Sequence, residues 1–473
     1  MLAIGASKIT QYLPVPAPAV FLLAAATVGT LAPHGKVSFV DVERLGIVAL
    51  IVILFDGGMQ VGFRQMRAAA APVAALGVLG TFATAALMAV FAHAVVGFGW
   101  TASWLLGAAV APTDPAVMFS VLGNRDVRGR SDVILKGEAG ANDPVGIALV
   151  VALVDFATSA SGSAWFVVEE FVVQMAVGLA IGAIGGRALL VLMRRVTLPG
   201  TGLYPLRALA AAAVIYGTAT VAHGSGFLAV FVAGLLVGDA RTPYKSEVER
   251  FHDALASLAE IVVFVALGLT IDLEAIWNRG LLWDGLALGA LLAFVARPLA
   301  TWPLLAPARL RWGERAFVVW GGLRGAVPIL LAAVAIVGGV AEGQRIYDLV
   351  FVVVAFSVLV QGSTMPLAAR AFGVRMRTIA PEPYELAIGL RHEPRGVQRM
   401  RVSPGSRVAG RPIRELPIGD DSWVSLVMRD GSPVAARGST VLEPEDEVVV
   451  LTSPDARPAL RRLFESDRRG GPA

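Results

Sequence analysis

A chain of 473 residues that is 56% hydrophobic and 16% charged, with mean hydropathy +0.69, is too apolar for a soluble globular protein of average composition. The absence of cysteine excludes a disulfide framework or thiolate metal site. A net charge of +4 does not imply a nucleic-acid partner, because Lys and Arg are spread over short loops and the tail, and long continuous apolar runs exclude a transmembrane barrel.

In chain order, the apolar segments predict twelve helices near residues 18–32, 45–63, 70–95, 102–122, 132–158, 165–193, 204–222, 226–239, 254–273, 283–305, 315–340 and 347–370. The fold class is therefore an all-α polytopic membrane protein with a small α+β domain after it. Met1–Ala6 reads either as the last turns of a helix that begins upstream or as a short lead before Pro14, Pro16 and Pro18. No cleavable signal peptide is evident. Alternate loops hold thirteen basic residues, among them Arg64, Arg67, Lys245 and Arg250, against Lys36, Arg44, Arg279 and Arg345 in the opposite set. That asymmetry predicts a multi-pass plasma (inner) membrane protein with the richer loops and the C-terminal domain in the cytoplasm.

After Arg370 the apolar pattern stops at Ile379–Pro383. The expected organisation is a membrane domain over 1–375, a linker over 376–390, a soluble domain over 391–467 and a disordered tail over 468–473. Strands are expected at Gln398–Ser403, Ser422–Arg429 and Glu447–Leu451, with short helices near Pro412–Leu416 and Asp455–Phe464. A domain this small gains stability by pairing with a second copy, which predicts a homodimer.

Ionisable residues inside apolar helices are costly and mark ion paths, relays or buried pairs. The main deeply placed ones here are Asp56, Asp114, Glu138, Asp143, Asp155, Arg297 and Arg324. The densest stretch is Lys136–Pro144, read as an ion site. Glu138 and Asn142 share a helix face, whereas Asp143 is turned about 100° from Asn142, so one face suits a structural pair, Glu138 with Arg297, and the other a binding site at Asp143. Pro112 and Pro115 flank Thr113-Asp114 and unwind that segment. A second interruption, Gly321–Pro328, lies seven helices later. Two broken helices in corresponding positions predict an inverted-repeat transporter with its site at the midplane. Asp56 is a site ligand or a partner of one, and Asp155 is interfacial. His93 and His223 show no metal spacing, no cofactor motif is present, and nothing resembles a phosphate loop, nucleophile elbow or zinc helix.

Thr113-Asp114-Pro115, Gly137-Glu138, Asn142-Asp143-Pro144, Phe294–Pro298 and Gly321–Ile329 together resemble the NhaP-type cation:proton antiporters over residues 10–372. Asp56 in Phe-Asp-Gly-Gly, and the tail, are most similar to the bacterial potassium/proton branch, and residues 385–467 resemble a TrkA-C regulator of potassium conductance module. The resemblance implies that Asp143 and Asp114, with Thr113, build a monovalent cation site where the broken helices cross, with Asp56 as a further site residue. It implies that Asn142 holds the crossing, that Glu138 pairs with Arg297, and that Arg324 offsets charge near the second break. Family members have thirteen helices with the fifth and twelfth broken, and here they are fourth and eleventh, which implies a missing first helix. The branch also has a further domain after the regulatory one, and this chain stops before it.

A carboxylate in a poorly solvated cavity holds either a proton or a partly dehydrated cation near neutral pH, never both, and alternating access turns that competition into exchange without ATP. With Asn142 beside Asp143, the resemblance implies one proton per cation and electroneutral exchange of potassium or sodium. Lipid and a small regulatory ligand of the tail are the other expected partners, with no nucleic acid. The rival readings are a sodium/proton antiporter of the same fold, a tail-gated cation channel and an organic-anion transporter. No Thr-Val-Gly-Tyr-Gly pore segment supports the channel.

Overall fold

Backbone amides in hydrocarbon have no water to bond, so long apolar runs close their hydrogen bonds internally as helices. The computed structural model describes residues 16–31, 37–114, 125–127, 130–158, 164–240, 242–374, 376–378, 397–419, 422–429, 432–452 and 457–464. The N-terminal lead, Pro115 and the segment 468–473 lie outside these residues. The chain divides into two units, Met1–Pro381 and Glu382–Ala473.

In the first unit the helices are α1 (Ala17–Leu31), α2 (Phe39–Val61), α3 (Phe63–Ala68), α4 (Ala70–Val96) and α5 (Trp100–Val110). Strand β1 (Arg125–Val127) precedes α6 (Arg130–Thr158), α7 (Ala164–Arg195), α8 (Leu203–Val221), α9 (Gly226–Gly238) and α10 (Lys245–Leu269). Then come α11 (Leu273–Asn278), α12 (Leu281–Thr301), α13 (Trp312–Trp320), α14 (Ala326–Val337), α15 (Gly343–Ala371) and β2 (Met376–Thr378). Every expected apolar segment carries helix. Six helices of the described residues are long and apolar enough to span a membrane, and α1, α5, α9 and α14 are shorter apolar helices. The short ones α5 and α14 abut the two interruptions.

Two helices start earlier than their apolar runs. Ser38 accepts a hydrogen bond from the Val40 amide and so starts α2 at Phe39. α10 begins at Lys245, through a charged turn that the apolar pattern omits. α2 and α9 approach closely because Gly58 and Gly234 face each other's backbone, where a Cβ on either would meet main-chain atoms. β1 and β2 pair antiparallel, Asp126 opposite Arg377.

The second unit has its own core of Met400, Val402, Val424, Val427, Val448, Leu460 and Phe464 among others. Its antiparallel sheet has the order β3 (Val397–Arg401), β6 (Glu447–Leu451), β4 (Trp423–Arg429), β5 (Ser432–Val434), with helix α16 (Arg457–Phe464) following. The three expected strands are present within two residues at each end. A fourth strand, β5, pairs with β4, Val427 opposite Val434.

Candidate functional site

The site is built on two interruptions that meet. Pro112 has no amide hydrogen with which to continue the helical ladder, and α5 stops at Val110, with Ala111 still in helical backbone. On the other side Gly321–Gly325 separate α13 from α14. The freed backbone groups find each other: the Asp114 amide donates to the Leu323 carbonyl at 2.8 Å. Arg324, fully buried, donates through Nε to the Val110 carbonyl at 2.6 Å and through Nη1 to the Gly322 carbonyl at 2.7 Å. A cation at the C-terminal end of α5 suits the negative pole of that helix and its orphan carbonyls. The Ser357 hydroxyl accepts from the Arg324 amide at 3.0 Å. Gly325 has to be glycine for space, because a Cβ there would overlap the Asp114 carboxylate.

α6 lies across this junction. Asn142 Nδ2 donates to Thr113 Oγ1 at 2.7 Å, fastening the α5 break to α6. One turn earlier, Glu138 and Arg297 form a fork in which Arg297 Nη2 donates to Oε2 at 2.9 Å and Nη1 to Oε1. Both are almost completely buried, so charge and hydrogen-bonding capacity are matched inside apolar surroundings. Asp143 is different. It is 7% exposed and its Oδ1 has no hydrogen-bond partner among the described residues.

Asp143 faces a cavity of about 460 Å³ that Asp114 and Asp56 also line, with Phe231, Leu54 and Leu330 as apolar walls. Gln60 Nε2 donates to Asp56 Oδ2 at 2.6 Å. A second space of about 560 Å³ shares Asp56, Gln60, Lys136 and Asp253 with the first and extends to Gln65, Asp239, Glu249 and Arg250. The two spaces thus adjoin at these four residues, between the ends of α2 and α9 and the part of the cavity that Asp143 lines. The first cavity holds five carboxylates, from Asp56, Asp114, Asp143, Asp253 and Glu260, against one ammonium, that of Lys136, which lies 3.1 Å from Asp132. Such a lining draws cations in and excludes anions.

Asp143, Asp114 and Asp56 therefore share one cavity, whereas Glu138, Arg297, Asn142 and Arg324 are not among its lining residues and fasten the neighbouring helices to one another. Thr113 is buried, with its hydroxyl engaged by Asn142, and it is not among the cavity-lining residues. Asp155 is exposed at the far end of α6, and His93 Nδ1 lies 2.6 Å from the Phe98 carbonyl with its ring stacked on Trp100. Among the described residues no group of three His, Cys, Asp or Glu side chains converges as a preformed metal centre. A weakly held monovalent ion needs none, since carbonyls and water complete its shell.

Sequence reasoning missed Asp253 and Glu260 on α10. Their signal was present: Glu249, Asp253, Ser257 and Glu260 recur at helical spacing on one face.

The transmembrane sodium/hydrogen exchanger family model matches residues 1–371, and the TrkA-C domain model matches residues 397–465. The chain is 32% identical over 461 residues to a protein named K(+)/H(+) antiporter NhaP from Alkalimonas amylolytica, covering 95% of this chain and 79% of that one. It is 26% identical over 358 residues to the Na(+)/H(+) antiporter NhaH of Halobacillus aidingensis, covering 71% and 85%. The solved structure of the sodium proton antiporter MjNhaP1 from Methanocaldococcus jannaschii at pH 8 shares the fold, with a TM-score of 0.67 and 21% identity over 76% of this chain and 96% of that one.

Proposed function

This chain belongs to the sodium/hydrogen exchanger family of transmembrane cation:proton antiporters, and we propose that it exchanges potassium, in preference to sodium, for protons across the plasma membrane by alternating access. The observation that carries this reading is the Asp143 carboxylate, buried beside two interrupted helices in the lining of an acid-rich cavity, with one oxygen unpartnered among the described residues. A proton or a cation satisfies that oxygen, and the two compete for it. Asp114, held through its amide to Leu323, and Asp56, held by Gln60, supply further oxygens in the same cavity. Asn142 and Arg324 keep the two breaks in register, and Arg297 neutralises Glu138 so that it takes no part in exchange. One titrating carboxylate at the Asn142-Asp143 pair supports one proton per cation and electroneutral exchange.

The wider space ends near Gln65 and Arg250, beside the basic loops that mark the cytoplasmic side, so the cavity opens inward. Preference for potassium is supported by the names of the relatives at 32% identity and by the TrkA-C match. The C-terminal unit, small and with its own core, is assigned to the cytoplasm as a regulatory module that pairs with a second copy and binds a small ligand.

The test is transport by the purified protein in vesicles containing a pH dye, with potassium, sodium or lithium added in turn and the membrane potential clamped or free. Proton movement driven by potassium and indifferent to voltage is the expected result. Movement with sodium alone overturns the selectivity and leaves an antiporter like the Halobacillus relative. No movement with any cation overturns the exchange reading.

A further inference from the structure

α10 carries a polar face that the mechanism above leaves unused. Glu249, Asp253, Ser257 and Glu260 are separated by four, four and three residues and so lie along one side of the helix. Glu249 lines the outer space, and Asp253, Ser257 and Glu260 line the inner cavity that Asp143 faces. Glu260 is the deepest of the four. Beyond it Val263, Phe264 and Leu267 are buried among apolar neighbours, and Glu260 Oε1 is itself buried with no hydrogen-bond partner among the described residues. An acid that far into an apolar span is expensive to retain unless something satisfies it.

Across the cavity stands Asp143, nine-tenths buried and likewise short of a partner at Oδ1. Two carboxylates, each with an unsatisfied oxygen, thus line one cavity, with no arginine among its lining residues and with the ammonium of Lys136 lying beside Asp132. A cation completes this arrangement. The two acids also sit on different helices: Asp143 on α6, fastened to the α5 break, and Glu260 on α10, which packs against α1 and α2.

We propose that Glu260 is a cation-binding residue, completing from α10 the site that Asp143 and Asp114 form at the helix breaks. The bound monovalent ion is held between α6 and α10, with the Ser257 hydroxyl one turn away toward the mouth. Because the ion bridges them, the length and charge of the side chain at 260 set apparent cation affinity and the order of preference among ions. This rests on the exchange reading above.

The test is cation-dependent proton exchange by the full-length protein in vesicles, with Glu260→Gln and Glu260→Asp compared with the unaltered chain and with Asp143→Asn. Removing the charge at 260 raises the half-saturating potassium concentration about tenfold or more while the maximal rate stays within about threefold, the signature of lost binding rather than lost chemistry. Glu260→Asp restores binding and shifts the ranking of lithium, sodium, potassium and rubidium. In detergent, added potassium chloride, with choline chloride as the ionic-strength control, raises the unfolding temperature of the unaltered protein and of Glu260→Asp, and the increment is lost in Glu260→Gln.

Unchanged half-saturation and ion ranking in Glu260→Gln overturn the proposal while leaving exchange intact. Should that variant fail to reach the membrane, an Asp variant with unaltered half-saturation and ranking overturns it instead. Absence of exchange in the unaltered protein removes the exchange reading, and with it the role for Glu260.

Discussion

Glu138 and Asp143 stand five residues apart on α6 and are both buried, yet they are solved in opposite ways. Glu138 meets both arms of the Arg297 guanidinium, and Asp143, in the lining of the cavity, has an oxygen with no hydrogen-bond partner among the described residues. The backbone and the acid chemistry are nearly the same, so the difference comes from what the neighbouring helices present. α12 brings a fixed counter-charge to one face, whereas the other looks toward α2 and α10, which bring more acids. A charge with a permanent partner is finished as structure. A charge left short of one is finished only by something that arrives and leaves.

The comparison predicts opposite results at the two positions. Asp143→Asn lowers cation-driven exchange in vesicles by at least about a hundredfold, as expected when the group that takes up and releases the proton is removed. Membrane yield and thermal stability stay at or above those of the unaltered chain, because a neutral amide is easier to bury. Retained exchange removes Asp143 from the mechanism. Glu138→Ala, or Arg297→Ala, has the reverse profile: it strands a buried charge at a cost of about 3–5 kcal/mol, read as lost folded yield and a lower unfolding temperature in detergent. Normal yield with altered cation affinity would move Glu138 from the scaffold into the site.

Much of this contrast is legible in the amino-acid sequence. The four-residue step from Glu138 to Asn142 and the one-residue step to Asp143 assign them to different faces, and the prolines and glycines at 112 and 321–325 mark where backbone groups come free. That the breaks cross follows from the family resemblance, but the Asp114 amide to Leu323 hydrogen bond that joins them is not legible in the residues, because it links positions over two hundred residues apart. The α10 acids are lost for a local reason. Starting the helix at the first apolar residue leaves Asp253 outside it and Glu260 without its stripe, although Lys245–Asp253 continues the same helix. In the second unit, Glu447–Leu451 announces a strand by its β-branched run, but β5 is three residues with Pro433 at its centre and reads as turn. The pairing of β1 with β2 links Arg125–Val127 to Met376–Thr378 and has no short-range signature.

The second unit offers the same kind of pair in water instead of hydrocarbon, and a smaller effect is expected there. Arg429 Nε and Nη2 each donate to an Asp446 oxygen at 2.9 Å, and Nη2 also reaches the Val441 carbonyl at 2.8 Å. The Glu443 amide donates to Asp446 Oδ2 at 2.7 Å, so the carboxylate is almost fully occupied and its residue is 1% exposed. Hydrogen bonding from Arg429 holds the Asp446 carboxyl below its ordinary value of 3.8. A carboxyl depressed on folding stabilises the folded state fully above its unfolded value and loses that contribution as pH falls through the folded one. Hydrogen exchange at the amides of β4 and β6 should therefore be insensitive to this pair between pH 7 and about pH 5 and show weakening only below about pH 4. Arg429→Ala should weaken the sheet at neutral pH by about 1–3 kcal/mol, the cost of leaving a buried acceptor unsatisfied. Asp446→Asn should remove this pair's share of the acid limb. An acid limb unchanged in Asp446→Asn would mean that other carboxylates govern it, and an Arg429→Ala loss as large as that of Arg297→Ala would mean that burial depth, rather than the absence of water, sets the cost of breaking such a pair.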